Sequence, residues 1–363
     1  MMKVLIATGG TGGHVHPALA TARELTRRGC AVVLAGAFGA AEQKVRDEGF
    51  ACVPIAPRGF VSKGFLRKAE AVGAMAVALV RCIGIVRRVK PDVVLGFGGY
   101  SSFPVAAAGV LTGVRTMVHE QNAMPGQANR LLGRFVQRVA LGFRDAAAFF
   151  PDGKTVWTGN PLRPFDAAVP RAQACTRFGL DPERCTVFVF GGSQGAHAIN
   201  TNIPGVLADA PPGLAVQVIH ITGKNALAAV TERYRALGVK AFVRDHTDEM
   251  PLAYAAADLV VGRAGAGTVT ELGFLGVPAV LVPYPGAGDH QKYNARVLER
   301  LGTASIIEEK SLRQDILRDK IFSHLRRDPD GSARARNREK LKDDFVGDGA
   351  GRLCDEVLRL AHD

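Results

Sequence analysis

The sequence predicts an α/β protein built of two tandem doubly wound, Rossmann-like domains. Three observations predict it. At about 150 residues per domain, 363 residues correspond to about 2.4 domains. Short β-branched runs alternate with longer helical stretches, and the alternation restarts midway along the chain. Glycine-rich turns follow four of the predicted strands. Hydrophobic residues at 47% and charged residues at 22% exclude a disordered chain. Glycine is the outlier, with 42 residues clustered in short loops and no repeat, so collagen-like and low-complexity readings fall away.

The first series of strands reads Lys3–Ala7, Ala31–Leu34, Cys52–Ile55, Asp92–Leu95, Arg115–Val118, Arg138–Leu141 and Thr155–Trp157. Stretches such as Pro17–Arg28 and Phe65–Val89 read as helices between them. Fully apolar strands separated by helices imply a parallel sheet covered on both faces. The segment Gly159-Asn160-Pro161-Leu162-Arg163-Pro164, continuing through Asp166–Pro170, cannot extend a strand or helix past its prolines and reads as the linker. The second series reads Thr186–Phe190, Ala215–His220, Ala241–Val243, Leu259–Val261, Ala279–Val282 and Ser305–Ile307, and Leu312 to His362 reads as helices only. Ligands of such sheets bind at the carboxyl ends of the strands, so the paired domains are expected to face each other across a cleft.

The glycine turns are Gly9-Gly10-Thr11-Gly12-Gly13-His14, Gly96-Phe97-Gly98-Gly99-Tyr100, Gly191-Gly192-Ser193-Gln194-Gly195 and Gly262-Arg263-Ala264-Gly265-Ala266-Gly267-Thr268. Glycine lets the backbone turn tightly and approach a ligand, while the following helix offers free N–H groups and a positive dipole end to a phosphate. A single such turn needs only a steric explanation. Four at equivalent positions, with Thr11, His14, Ser193 and Thr268 embedded, favour an anionic, nucleotide-type ligand. None matches the phosphate-loop pattern, and the first does not match the dinucleotide fingerprint cleanly.

Charge and cysteines bound the rest. The balance of 46 basic and 34 acidic residues gives +12, and the segment from Arg58 to Lys90 carries +7 of it: eight Lys/Arg residues against Glu70. A basic surface suits nucleic acid, anionic headgroups or phosphorylated substrates. One Trp and five Tyr, with no interleaved Arg/aromatic stripe, argue against nucleic acid. Six cysteines without a C-x-x-C pair suit free thiols in a reducing compartment. The N-terminal apolar run is too short for a signal peptide, and Ala71–Val80 is about half a bilayer span.

Six ordered segments carry a family resemblance: Gly9–His14, His119-Glu120-Gln121-Asn122, Gly159–Arg163, Gly191–Ala196, Arg263–Thr268 with Glu271, and Asp289-His290-Gln291 with Asn294-Ala295. In that order and spacing the chain resembles the bacterial transferases that add N-acetylglucosamine to undecaprenyl-pyrophosphoryl-N-acetylmuramyl-pentapeptide, converting lipid I to lipid II in peptidoglycan synthesis. The resemblance runs from Gly9 to Ala295. It implies the two-domain GT-B glycosyltransferase fold. Residues 1–163, rejoined by a helix over 346–363, would form the acceptor and membrane-associating domain, and 164–345 would hold UDP-N-acetylglucosamine.

The same resemblance implies roles residue by residue. Ser193 and Arg163 would contact the donor diphosphate, and Glu271 would accept the ribose hydroxyls. Ala266, Gly267, Thr268, Val269 and Thr270, read as a loop, would line the nucleotide. Gln291 and Asn122 would address sugar hydroxyls, and Thr11, Gly12 and Gly13 would present backbone amides to the acceptor pyrophosphate or the donor. Where the family carries an aromatic residue and an isoleucine over the uracil, this chain has His246 and Thr247, and Thr247 is kept as a donor contact.

UDP is a good leaving group, so the enzyme has to stabilise its developing charge and deprotonate an acceptor hydroxyl. An α-linked donor giving a β-linked product means inversion by one in-line displacement. His14 is the candidate general base, because imidazole titrates near neutral pH; positioning a phosphate or capping the helix is the other role open to it. Glu120 is second choice, as base or acceptor contact, and local backbone amides are its alternative partners. Asp328-Pro329-Asp330, the one Asp-x-Asp triplet, lies in a charged interhelical segment and reads as a solvated turn, so transfer is expected without metal or other cofactor.

Phe60, Phe65, Leu66 and Ala71–Val80 sit among Arg58, Lys63, Arg67, Lys68, Arg81, Arg87 and Arg88. An apolar, basic surface helix of this kind would dock on anionic headgroups at the cytoplasmic face of the membrane; an ordinary buried helix with a charged end is the alternative. Other cell-wall synthesis proteins are further expected partners. The competing functions are another sugar-nucleotide enzyme, such as a UDP-sugar epimerase or a glycolipid synthase, and a non-catalytic nucleotide-sugar sensor or membrane scaffold.

Overall fold

In the computed structural model, residues 1–363 are described except 10–11, 40–41, 56–64, 164–168, 193, 287, 327–331 and 363. The chain forms two compact units, Met1–Arg163 with Val346–Asp363, and Pro164–Phe345.

The N-terminal unit contains β1 (Lys3–Gly9), α1 (Gly12–Arg27), β2 (Ala31–Ala37), α2 (Glu42–Asp47), β3 (Ala51–Pro54), α3 (Phe65–Val89), β4 (Val93–Gly96), α4 (Phe103–Leu111), β5 (Arg115–Glu120), α5 (Gln127–Leu132), β6 (Arg138–Leu141) and β7 (Thr155–Trp157). Its seven strands are parallel in the order β3-β2-β1-β4-β5-β6-β7. The central strands are buried almost end to end, as their continuous apolar runs require. Leu5, Ala7 and Val94 pack toward Cys82 and Val86 of α3 on one face. Val4, Ile6, Val93 and Leu95 pack toward α1 on the other.

The other unit contains α6 (Arg171–Arg177), β8 (Cys185–Phe190), α7 (His197–Ala208), β9 (Val216–Ile221), α8 (Leu227–Ala236), β10 (Lys240–Arg244), α9 (Met250–Ala256), β11 (Leu259–Gly262), α10 (Ala266–Leu275), β12 (Ala279–Leu281), α11 (His290–Arg300), β13 (Ala304–Ile306), α12 (Gln314–Arg326) and α13 (Ala333–Leu341). Its six parallel strands run β10-β9-β8-β11-β12-β13. In both sheets the strand order reverses beside the first strand of the unit, between β1 and β4 and between β8 and β11. A doubly wound sheet opens for a ligand at that reversal.

The remaining helix, α14 (Gly349–His362), belongs to the first sheet although it follows the second in sequence. Its Leu353, Cys354, Val357 and Leu360 join the core beneath α1. Arg28 pairs with Asp355 at 2.5 Å and donates to Gly351 O at 3.1 Å, and Arg115 donates to Ala361 O at 3.0 Å.

Several elements differ from the sequence reading. α1 begins at Gly12 and contains Pro17, so His14 lies in the first turn of a helix and not in a loop ahead of it. Pro17 has no N–H to donate to the carbonyl four residues back, that of Gly13, so the opening turn lacks that intrahelical bond. β1 and β5 run on past the apolar residues, because Gly9 still pairs with Ala37 and Glu120 with Leu141. The stretch 266–270 is the opening of α10 and not a loop. The six cysteines are unpaired.

Candidate functional site

In the N-terminal unit the chemistry-bearing residues gather at the carboxyl ends of β1, β4 and β5. Thr8 Oγ1 donates to His14 O at 2.9 Å, which ties the strand end to the first turn of α1. The His14 ring is half-buried, and its Nδ1 lies 3.1 Å from Gln121 Oε1 on the segment after β5. Gly12 and Gly13 lie in the same first turn, whose amides have no intrahelical acceptor. Thr11 lies outside the described residues.

Glu120 is buried and fully engaged. One carboxylate oxygen accepts from Asn122 N at 2.9 Å and Asn122 Nδ2 at 3.0 Å. The other accepts from Gly126 N at 3.1 Å and Asn129 Nδ2 at 3.0 Å. Four donors from 122–129 thus converge on one carboxylate, which shapes the loop after β5 and holds Asn122 at its surface. Of the two roles open to Glu120 in the sequence, this geometry matches the bonding of local amides.

The Gly159–Arg163 segment is part of the same construction. His119 Nε2 donates to Gly159 O at 3.1 Å, and Asn160 Nδ2 donates to Gln121 O at 3.1 Å. The segment that reads as a linker therefore buttresses the β5 loop, with Arg163 half-buried at its end. His119 has no exposed surface, and burial pushes its imidazole down to about 4. It is neutral throughout the physiological range.

In the other unit the corresponding place is the carboxyl end of β8 and β11. Gly195, shortly before α7, packs directly on Thr222, the residue that follows β9. Gly195 has φ +76°, and a Cβ there would stand 2.3 Å from Thr222 O. The contact is possible only without a side chain. Asn200 of α7 secures the same strand end, donating to Thr222 O at 2.9 Å. His220 Nε2 donates to Asn200 Oδ1 at 3.0 Å and its Nδ1 accepts from Tyr234 Oη at 2.9 Å. Burial lowers His220 to about 3, so this ring is neutral as well. Ser193 lies outside the described residues.

α10 opens directly after β11 with Gly265 at its N-cap. Gly267 is exposed and Ala266 and Thr268 are half-buried, so the first-turn amides are the accessible part. Val269 points into the core, and Thr270 Oγ1 donates to Ala266 O at 2.8 Å, so neither offers its side chain outward. Glu271 is nearly buried and accepts from Tyr254 Oη at 2.8 Å. Gln291 Oε1 accepts from Ala264 N at 3.1 Å and Tyr284 N at 2.9 Å, joining the turns after β11 and β12. Thr247 is half-buried, its Oγ1 accepting from Glu249 N at 3.0 Å, and His246 is exposed beside Asp248.

Sequence reasoning assigned no role to His119, Gln121, Asn129, Asn200, His220 or Tyr254. The signal for the first two was available in the polar run His119–Asn122 at the end of an apolar strand. Among the described residues, no cluster of three or more His, Cys, Asp or Glu side chains is arranged to hold a metal. The triplet Asp328-Pro329-Asp330 lies outside the described residues. No described helix is long and apolar enough to cross a membrane.

Comparison with known proteins agrees with this architecture. Residues 4–141 match the glycosyltransferase family 28 N-terminal domain, and residues 186–347 match the family 28 C-terminal domain. The chain is 39% identical over 337 residues, 89% of its length and 90% of the relative's, to a protein of Syntrophus aciditrophicus. It is 42% identical over 318 residues to one of Myxococcus xanthus, covering 86% of this chain and 82% of that one. Both relatives are named UDP-N-acetylglucosamine--N-acetylmuramyl-(pentapeptide) pyrophosphoryl-undecaprenol N-acetylglucosamine transferase. Among solved structures, Acinetobacter baumannii MurG superposes with a TM-score of 0.79 at 28% identity, covering 99% of this chain and 100% of that one. A UDP-GlcNAc 2-epimerase from Neisseria meningitidis matches with a TM-score of 0.65 at 14% identity, covering 99% and 100%, a likeness of fold alone.

Proposed function

The chain belongs to glycosyltransferase family 28, and from that premise we propose that it transfers N-acetylglucosamine from UDP-N-acetylglucosamine to undecaprenyl-pyrophosphoryl-N-acetylmuramyl-pentapeptide, turning lipid I into lipid II. The observation that carries this reading is the near-full-length identity of 39% and 42% to two transferases of that name. The geometry of each unit supports the reading.

The 164–345 unit is read as the donor site. The amides opening α10 and the turn 191–195 would meet the nucleotide and its diphosphate, with Ser193 and Arg163 as further diphosphate partners. Glu271, oriented by Tyr254, would accept the ribose hydroxyls, and Gln291 would turn its Nε2 to the sugar. Thr247 would approach the base. Val269 and Thr270 would contribute backbone only.

The N-terminal unit is read as the acceptor site. His14 is the base: its imidazole takes the proton of the acceptor hydroxyl as that oxygen bonds to the anomeric carbon. The bond to the UDP oxygen breaks from the opposite face, and backbone amides stabilise the charge that leaves. Thr11, Gly12 and Gly13 would supply amides to a pyrophosphate, and Asn122 would address a sugar hydroxyl. Glu120 is read as the organiser of the Asn122 loop. The reaction, so assembled, draws on no metal.

A lipid-anchored acceptor has to be met at a membrane surface, which for a cytoplasmic sugar nucleotide is the cytoplasmic face. α3 supports this reading. Val77 and Val80 are 53% and 69% exposed, and Arg81, Arg87 and Arg88 are exposed on the same helix. Leu111 of α4, a helix packed on α3, is exposed as well. Residues 56–64 lie outside the described ones.

The test is a transfer assay with labelled UDP-N-acetylglucosamine and a lipid I analogue, run with chelator and with UDP-glucose as control. Chelator-insensitive transfer, weak with UDP-glucose, is expected. Donor binding without transfer would overturn the acceptor assignment.

A further inference from the structure

We propose that Gln121 is a positioning residue that holds His14 in the one neutral tautomer able to accept a proton at Nε2. This rests on the reading of His14 as the base. A chain of hydrogen bonds runs from Gly159 to His14, and a backbone carbonyl at its far end sets their directions.

Gly159 O can only accept, so His119 Nε2, 3.1 Å away, carries a hydrogen. His119 is buried and neutral, so its Nδ1 carries none and accepts. Gln121 Nε2 lies 3.1 Å from that Nδ1, 3.0 Å from Phe97 O and 3.1 Å from His119 O. Three acceptors surround this end of the amide. Only the amino group satisfies them, and a flipped amide would point its oxygen at all three. The Gln121 carbonyl oxygen therefore faces His14 Nδ1 at 3.1 Å and requires a hydrogen there. A neutral imidazole with its hydrogen on Nδ1 has its lone pair on Nε2.

Gly99 packs against the Nε2 side of the ring. This residue has φ +80°, and a Cβ placed on it would stand 3.5 Å from His14 Nε2. When Nε2 takes a proton, Nδ1–H remains bonded to the same oxygen, so the relay serves both protonation states without rearrangement. A carboxylate in the place of Gln121 would fix the tautomer too, but would also raise the basicity of the ring. The amide orients the ring without placing a charge beside it.

The tautomer can be read in protein labelled with 15N-histidine, the His14 signals being assigned by their loss in His14→Ala. The wild-type spectrum is expected to show hydrogen on Nδ1 and a bare Nε2. In Gln121→Met the His14 signals should move toward the Nε2–H form. Its kcat should fall by at least about tenfold, part of the 10²–10⁴ that a general base typically contributes, with the KM for UDP-N-acetylglucosamine within about twofold. A wild-type Nε2–H tautomer would overturn the proposal, and this measurement stands even where Gln121→Met fails to fold. A folded Gln121→Met enzyme of wild-type kcat would overturn it too. Full kcat in His14→Ala would instead remove the base assignment, while the tautomer spectrum would still report the relay.

Discussion

At the scale of single residues, the carboxylate of Glu120 and the ring of His119 show how buried polar groups are held. Removing Glu120 leaves the donors of Asn122, Gly126 and Asn129 without an acceptor, at about 1–3 kcal/mol for each group left unsatisfied. Glu120→Ala and Glu120→Gln should therefore both lower Tm, by roughly 5–10 °C. A Glu120→Gln protein of wild-type Tm and much-reduced kcat would argue for direct chemistry instead. The buried histidines set a pH dependence. Unfolded histidine takes up a proton near 6.5, whereas folded His119 and His220 resist protonation down to about 4 and about 3. Over that interval the unfolded state binds more protons, so stability is full above about pH 6.5 and is lost as the pH falls toward 4. Tm measured from pH 7.5 to 4.5 should fall steadily below 6.5, and a flat profile would refute the assignment. None of this was legible residue by residue. His119 is a histidine at the end of an apolar strand, and its partner Gly159 O lies 40 positions away.

At the scale of elements, the sequence was far more readable. All thirteen predicted strands form, within two residues at most ends, because a parallel strand buried on both faces writes itself as an apolar run. What escaped were helix starts. α1 opens five residues before Pro17 and α10 opens at Ala266, since glycines that read as turn residues also tolerate a first helical turn. Of the site, the glycine turns and polar motifs were visible by position, whereas the contacts that seat them were not. Gly195 illustrates this, as its seat is the carbonyl of Thr222, just past the end of the neighbouring strand β9. Gly195→Ala combines a left-handed backbone, worth about 1–2 kcal/mol, with a Cβ only 2.3 Å from that carbonyl. It should lower Tm and raise the KM for UDP-N-acetylglucosamine, leaving the helix content by circular dichroism unchanged.

At the scale of the whole molecule, the N-terminal sheet is closed by residues from the far end of the chain. Leu353, Val357 and Leu360 of α14 are buried beside α1, and burying such side chains contributes about 1.5–3 kcal/mol each. Their sum is comparable with the entire stability of a domain, about 5–15 kcal/mol. A chain ending at Phe345 should therefore expose its first 163 residues to limited proteolysis and leave 164–345 as a resistant fragment. Equal resistance of both would contradict the packing of α14. The same arrangement governs the order of events during synthesis. The second unit is one uninterrupted stretch and needs no residue from outside it to close its sheet. The first unit, although translated earlier, waits with the underside of α1 uncovered until Val346–Asp363 clears the exit tunnel. The part of the protein made first is thus the part finished last, and a nascent chain stalled before that point is the form most in need of a chaperone.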